Sequence, residues 1–271
     1  MTYKLIACDM DETLIGTNHK IAQENIDAIK ECVKHGVKFV PATGRGFNSI
    51  EGTLQKLGLQ GKKGEYVISF NGGAITENSD HHLLSFHGMP FELVNEFYKR
   101  GVQYGVCMHA YTVDKVYIYN ADDDERQFLN GRMDYIEISD KDLSRFENQD
   151  WVKILYENLD RKYLEKLADD LSDITKNVDV SYSSNRYLEF NDKGVNKGAG
   201  LKVLCDKLGI DMKDVIAIGD NPNDLSMIKA AGLGAGVANS SNDIKPYCNV
   251  ITERDCNHGA VAEVIEKYVL S

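Results

Sequence analysis

Four short polar segments carry most of the side chains that could do chemistry. They are Asp9 Met10 Asp11 Glu12 Thr13, then Thr43 Gly44 Arg45, then Lys197 within Gly194 Val195 Asn196 Lys197 Gly198, and finally Gly219 Asp220 Asn221 Pro222 Asn223 Asp224. Carboxylates brought together repel and raise one another's pKa unless a hard cation joins them, and an oxygen-only set without histidine or cysteine favours magnesium. Such a cation would clamp a phosphate oxygen and screen the negative charge that otherwise keeps an attacking carboxylate away from a phosphoryl group. A lysine and a threonine hydroxyl would hold the remaining phosphate oxygens. Taken singly, each segment has a blander reading. Acidic residues after a strand usually cap a helix or face water, a lysine heading a helix is usually on the surface, and Thr43 Gly44 reads as turn chemistry.

What turns four bland segments into one candidate site is their placement. Leu5 Ile6 Ala7 Cys8 is a continuous apolar run of the kind that forms a buried parallel strand, with Asp9 and Asp11 at its carboxyl end. Ile26, Ile29 and Val33 recur at helical spacing, Gly36 is placed to stop that helix, and Val37 Lys38 Phe39 Val40 reads as the next strand, which completes a βαβ unit. A helix over about 48–57 ends at Gly58, and Tyr66 Val67 Ile68 Ser69 Phe70 is a strand closed by Asn71 Gly72 Gly73. Alternation resumes after Gly194, with a helix from Lys197 to Leu208, a strand Val215 Ile216 Ala217 Ile218 and a helix around 225–231. Ligands of open parallel sheets bind beyond the carboxyl ends of the strands, where all four segments fall.

Between about Leu83 and Glu189 the pattern loosens. Strand-like runs such as Lys115 Val116 Tyr117 Ile118 Tyr119 and Trp151 Val152 Lys153 Ile154 Leu155 Tyr156 mix with helical stretches near 91–100 and 163–171. The expected fold is therefore α/β: a doubly wound, Rossmann-like parallel-sheet core from residues 1–82 and 190–271, interrupted by an inserted α+β cap over 83–189.

Composition narrows the class. At 271 residues, with 42% hydrophobic and 27% charged residues, four prolines and no repetitive tract, the chain has the make-up of an ordinary folded protein. A net charge of −11 without a dense basic cluster disfavours nucleic acid and anionic lipid as partners. The six cysteines show no close paired spacing and read as reduced thiols. The apolar run before Asp9 is too short for a signal-peptide core and no segment is long enough to span a bilayer, so a cytoplasmic location and no membrane partner are expected.

These segments resemble the four motifs of the haloacid dehalogenase superfamily and, within it, the Cof-type sugar-phosphatase branch with a C2-type cap. The resemblance covers essentially the whole chain. It implies Asp9 as the nucleophile that forms an aspartyl-phosphate, and Asp11 as the acid that protonates the leaving alkoxide and then takes a proton from water. It places Mg²⁺ on the side chains of Asp9 and Asp220 and on the main-chain carbonyl of Asp11, with Asp224 in support, and phosphate on Thr43, Lys197 and Asn223. Asp11 favours phosphoryl transfer to water, because relatives that break carbon–halogen bonds lack it and ion-pumping ATPases carry threonine there. One departure is Glu12, where glycine is usual. The backbone is read as not demanding glycine there, and the carboxylate is expected to face solvent.

The expected activity is Mg²⁺-dependent hydrolysis of a small phosphorylated metabolite of the sugar-phosphate kind. A phosphomutase of the same superfamily is an alternative, as is a receiver-like phosphoacceptor module. Length, the inserted segment and Asp11 argue against the receiver, since an in-line acid/base promotes turnover of the phosphoryl-aspartate that a signal must preserve. The substrate's identity would be set by the cap, where His81, His82, His87, His109, Tyr111, Tyr182 and Arg186 could line a pocket. Oligomeric state is not legible.

Overall fold

The computed structural model describes residues 3–183 and 185–271. Element order follows the chain: β1 Leu5–Asp9, α1 Gln23–Lys34, β2 Lys38–Ala42, α2 Glu51–Leu57, β3 Tyr66–Ser69, β4 Ala74–Glu77 and β5 Leu83–Phe86. Next come α3 Phe91–Tyr104, β6 Cys107–Thr112, β7 Val116–Tyr119, α4 Asp123–Leu129, β8 Ile136–Ile138, β9 Trp151–Glu157, α5 Arg161–Asp170, β10 Val178–Ser183 and β11 Tyr187–Asp192. The chain closes with α6 Lys197–Leu208, β12 Val215–Gly219, α7 Leu225–Ala230, β13 Leu233–Gly236, β14 Val250–Ile251 and α8 Ala260–Tyr268. Two compact units result: one runs to Phe86 and resumes at Asn196, and the other spans His87–Val195.

The first unit is a doubly wound α/β domain. Its sheet has the order β14-β13-β12-β1-β2-β3-β4-β5, parallel from β14 to β3 and antiparallel from β3 to β5. Every residue of β1 is buried because both faces of the strand are covered. Ile6 and Cys8 join the cluster containing Ile29 and Cys32 of α1 and Val261 and Ile265 of α8. Leu5 and Ala7, pointing the other way, join Leu201, Leu204 and Cys205 of α6 and Met227 of α7. Strand order reverses beside β1, since the chain runs outward through β2 and β3 on one side and through β12, β13 and β14 on the other.

The second unit is α+β. Its sheet, β10-β11-β9-β6-β7-β8, is antiparallel except for the β7–β8 pair. Phe97 and Tyr98 of α3 and Leu164 and Leu167 of α5 pack with Tyr156, Leu188 and Phe190 of the sheet into a separate apolar core.

The boundaries differ from the sequence expectation at both ends. Leu83–Phe86 pairs with β4 as the edge strand of the first unit's sheet, whereas the sequence reading gave it to the insertion. All four residues are half-buried, so no alternation marks which sheet they join. At the other end, the expected break after Glu189 falls inside β11, which pairs with β9 and β10 through Asn191. His81 and His82 likewise precede the insertion. His81 stacks edge-on against Phe47, with ring centroids 4.5 Å apart, and faces Glu51 at 3.6 Å.

Candidate active site

Asp9 is the last residue of β1, and Asp220 follows the last residue of β12. These strands are parallel neighbours, with Cys8 opposite Ile218, so the two aspartates emerge side by side at the switch in strand order. Behind them, Asp224 folds back so that its Oδ2 accepts the backbone N–H groups of Asp220 at 3.0 Å and Asn221 at 3.1 Å. Gly219 makes that return possible, because a Cβ there would lie 2.5 Å from Asp224 Cβ. Lys197 opens α6, capped by Asn196 Oδ1, which accepts from Ala199 N–H at 2.9 Å. A Cβ on Gly198 would stand 2.5 Å from the Ser226 carbonyl oxygen, so only glycine lets the start of α6 lie this close to α7.

The result is a buried charge cluster. Lys197 Nζ donates to Asp9 Oδ1 and, at 2.7 Å, to Asp224 Oδ1. Asp9, Asp220 and Asp224 offer carboxylate oxygens that all lie within 4.8 Å of one another. Burial, reinforced by Asp224 and Asp220 and opposed by Lys197, drives Asp9 well above the usual carboxylate range. Burial also pushes Asp220 up to about 6, with the Thr13 hydrogen bond working against it and Asp224 and Glu12 adding to it. Lys197 is raised, its burial opposed and outweighed by Asp224 and Asp9. One lysine therefore leaves three buried carboxylates short of positive charge. An all-oxygen donor set with this excess fits a hard divalent cation.

The other expected site residues are placed less directly. Thr43 follows β2, which pairs with β1 at Asp9 opposite Ala42. It is buried and anchored: its N–H donates to Ile68 O at 2.9 Å and its hydroxyl accepts from Arg45 N–H at 3.0 Å. Asp11 is turned outward and held by both arms of the Arg45 guanidinium, Nε lying 2.9 Å from Oδ2 and Nη2 bonded to Oδ1. Asn223 is exposed on the single turn Pro222–Asp224.

Glu12 corrects one expectation. Its side chain is exposed, but its φ is +62°, the left-handed region that favours glycine, so the backbone does ask for the residue that is usual there. Asn239 Nδ2 supports this turn by donating to the Glu12 carbonyl at 2.8 Å. Three supporting roles were missed in the sequence. Thr13 Oγ1 donates to Asp220 Oδ1 at 2.6 Å, Asn221 Nδ2 donates to the other oxygen of Asp220, and Arg45 clamps Asp11. Each lies within a segment already singled out, so proximity to the aspartates was the available signal.

Five side chains named above, His87, His109, Tyr111, Tyr182 and Arg186, belong to the second unit. His109 and Arg186 are buried around Glu125, Tyr111 lies under Lys153 at 4.9 Å from its ring centroid, and Arg161 covers the Tyr182 ring at 3.5 Å. His87 is more exposed and pairs with Asp192 at 2.7 Å.

Comparison with known proteins agrees with this geometry. A model of haloacid dehalogenase-like hydrolases matches residues 6–265. The chain is 29% identical over 267 residues to the 5-amino-6-(5-phospho-D-ribitylamino)uracil phosphatase YcsE of Bacillus subtilis, covering 98% of this chain and 96% of that one. It is 28% identical over 271 residues to a phosphoglycolate phosphatase of Methanobrevibacter smithii, covering the whole of both. The crystal structure of a haloacid dehalogenase-like hydrolase from Bacteroides thetaiotaomicron superposes with a TM-score of 0.87 at 28% identity, over 98% of this chain and 99% of that one. Among the described residues no helix is long and apolar enough to cross a membrane. With the family model spanning nearly its full length and the motif residues gathered at one sheet edge, the chain belongs to the haloacid dehalogenase-like hydrolases and is an enzyme of their phosphatase class.

Proposed function

We propose that this enzyme is a Mg²⁺-dependent phosphatase that hydrolyses a small phosphorylated metabolite of the sugar-phosphate kind through an aspartyl-phosphate on Asp9. The observation that carries the reading is a buried Asp9 at the end of β1, bonded to Lys197 and sharing its site with Asp220 and Asp224. Side-chain oxygens of Asp9 and Asp220 and the main-chain carbonyl of Asp11 would hold the metal, with Asp224 in support. Bound there, Mg²⁺ supplies charge neutralisation and a fixed ligand for one phosphate oxygen.

The steps fall to the chain's own residues. A carboxylate oxygen of Asp9 attacks phosphorus while the bond to the leaving oxygen breaks, and Asp11 gives that oxygen its proton. Water then attacks phosphorus, Asp11 takes the water's proton, and the bond from phosphorus to Asp9 breaks to release inorganic phosphate. Lys197 offsets the charge of Asp9, and with Thr43 and Asn223 it would bind phosphate oxygens. Two relatives named for a phosphoribityl compound and for phosphoglycolate support a small phosphate monoester as substrate.

A generic aryl phosphate tests the mechanism. Phosphate release should require Mg²⁺, stop on adding EDTA, and fall by roughly a thousandfold or more in Asp9→Asn, the scale expected when an interaction central to the transition state is lost. Asp11→Asn should slow both displacements by about 10²–10⁴-fold. Wild-type turnover in Asp9→Asn would rule out the covalent route.

A further inference from the structure

A cavity of about 450 Å³ opens in the second unit, where β6 begins and where β7 and β9 end. Asn120, Asp122, Glu157, Asn158 and Asp160 line it, and none of its lining residues is Lys, Arg or His. Glu157 is the informative one. It is 5% exposed, and its side-chain contact among the described residues is an ion pair. Its cationic neighbour, Arg186, stands 3.6 Å from Oε1, beyond hydrogen-bond reach. That guanidinium is already bonded to Asp124 and lies 3.3 Å from Glu125. Glu125 in turn accepts from the Tyr187 hydroxyl at 2.6 Å and lies 3.1 Å from His109 Nε2, and burial lowers the pKa of His109, which favours its neutral form. Burial, together with Glu125, Asp122 and Asp124, pushes Glu157 up to about 7.

The other carboxylates also keep free acceptors. Asp122 Oδ1 caps α4 by accepting from Glu125 N–H at 2.8 Å, and Asp160 Oδ1 caps α5 by accepting from Lys162 N–H at 2.9 Å. Both residues are exposed, and among the described residues no donor meets the second oxygen of either. Asn120 turns its amide N–H to Gly105 O at 2.7 Å, which leaves its carbonyl oxygen as another acceptor. The cavity is therefore rich in acceptors and short of positive charge.

Size and spacing choose the kind of cation. Among the described residues, the only acidic, histidine or cysteine side chains that converge three at a time within 4.8 Å are Asp9, Asp220 and Asp224, so no three of the cavity's carboxylates meet at one point. The volume falls within the 300–1,000 Å³ range of small-molecule pockets. Val106, Ala121 and Tyr163 line it as well and supply apolar surface. We infer that this cavity binds a short aliphatic diamine, one ammonium on Glu157 and Asp122, the other towards Asp160, and the methylene spacer along the apolar wall.

Calorimetric titration of the full-length, Mg²⁺-loaded protein at fixed ionic strength tests this, with 1,4-diaminobutane, 1-aminobutane and CaCl₂ as probes. The expected result is saturable one-site binding of the diamine, about tenfold or more tighter than the monoamine. It should weaken by about tenfold or more in Glu157→Gln, and also in Asp160→Asn, which keeps a capping side chain on α5. Both variants would be checked for wild-type circular dichroism, and Asp160→Asn carries the test if Glu157→Gln does not fold. Absence of saturation by about 10 mM diamine would overturn the inference. So would equal affinity in a folded variant, or a preference for calcium that Glu157→Gln abolishes. None of these readings depends on the phosphatase mechanism.

Discussion

At Asp11, the side chain proposed to give and take the proton is held by a guanidinium before any substrate arrives. Both partners are about half exposed, at 51% for Asp11 and 41% for Arg45, and an exposed pair of this kind adds about 1 kcal/mol or less to stability. Orientation is another matter, since misplacing a reacting group by about 1 Å can cost on the order of a hundredfold in rate. Arg45→Gln should therefore lower kcat/KM on an aryl phosphate by roughly 10–100-fold while leaving the melting temperature nearly unchanged. Steady-state kinetics beside a thermal melt would separate the two effects, and unchanged kinetics would remove Arg45 from the site. Asp9, Lys197, Asp220 and Asp224 were legible in the sequence because residue type and position after a strand are enough to place a carboxylate or an amine near a sheet edge. The bonds from Thr13 to Asp220 and from Arg45 to Asp11 were not, because they depend on loop dihedrals. Glu12 is the extreme case: its φ of +62° runs against the side chain it carries, and no propensity argument could have found it.

The ends of elements hold the next level of consequence. Glu157 closes β9 and is 5% exposed, beside Arg186, Glu125, Asp122 and Asp124. Its pKa rises from an ordinary 4.5 to about 7, with burial the leading cause. Below pH 4.5 the group is protonated in both the folded and unfolded chain. Between 4.5 and about 7 the unfolded chain releases the proton that the folded chain keeps, so the folded state loses stability as pH rises through that window. The full loss is about 3 kcal/mol. Glu157→Gln has no such proton to keep, so relative to the variant the wild type should be weaker by about that amount at pH 8 than at pH 4.5. Urea unfolding of both proteins at the two pH values would measure it, and parallel stabilities would mean that Glu157 titrates normally. Element boundaries were read with uneven success, for reasons the same sheets make plain. The expected helix Lys197–Leu208 coincides with α6, where Asn196 supplies a cap and Gly209 a left-handed stop. β5, half-buried at every position, carries no periodic signature of the sheet it joins.

At the scale of the molecule, the first unit is assembled from sequence-distant halves. β1 pairs in register with β12, Leu5 opposite Val215 through Cys8 opposite Ile218, and α1 packs against α8. The doubly wound alternation of these halves was visible in the sequence, while the second unit's strand order was not, because antiparallel pairings such as β6 with β9 join strands whose neighbours are set by tertiary packing. The two units therefore differ in what they need to fold. Residues 87–195 contain their own six-stranded sheet, two helices on one face and a continuous apolar core around Phe97, Trp151, Tyr156 and Phe190. Expressed alone, that segment should fold cooperatively, with a melting transition that Mg²⁺ does not move, since Asp9, Asp220 and Asp224 all lie outside it. A chain stopped at residue 195 should behave differently. It keeps β1 but loses β12 and α6, so Leu5 and Ala7 lose the Leu201, Leu204, Cys205 and Val215 side chains that bury them. At about 1.5–3 kcal/mol for each fully buried side chain, losing these four is comparable to the whole 5–15 kcal/mol that holds a domain together. The truncated chain should thus leave residues 3–86 unfolded while the second unit's transition persists. Amide exchange resolved by segment distinguishes the outcomes: protection confined to 87–195 is expected, and protection of β1 and β2 without their partners would contradict the assembly described above.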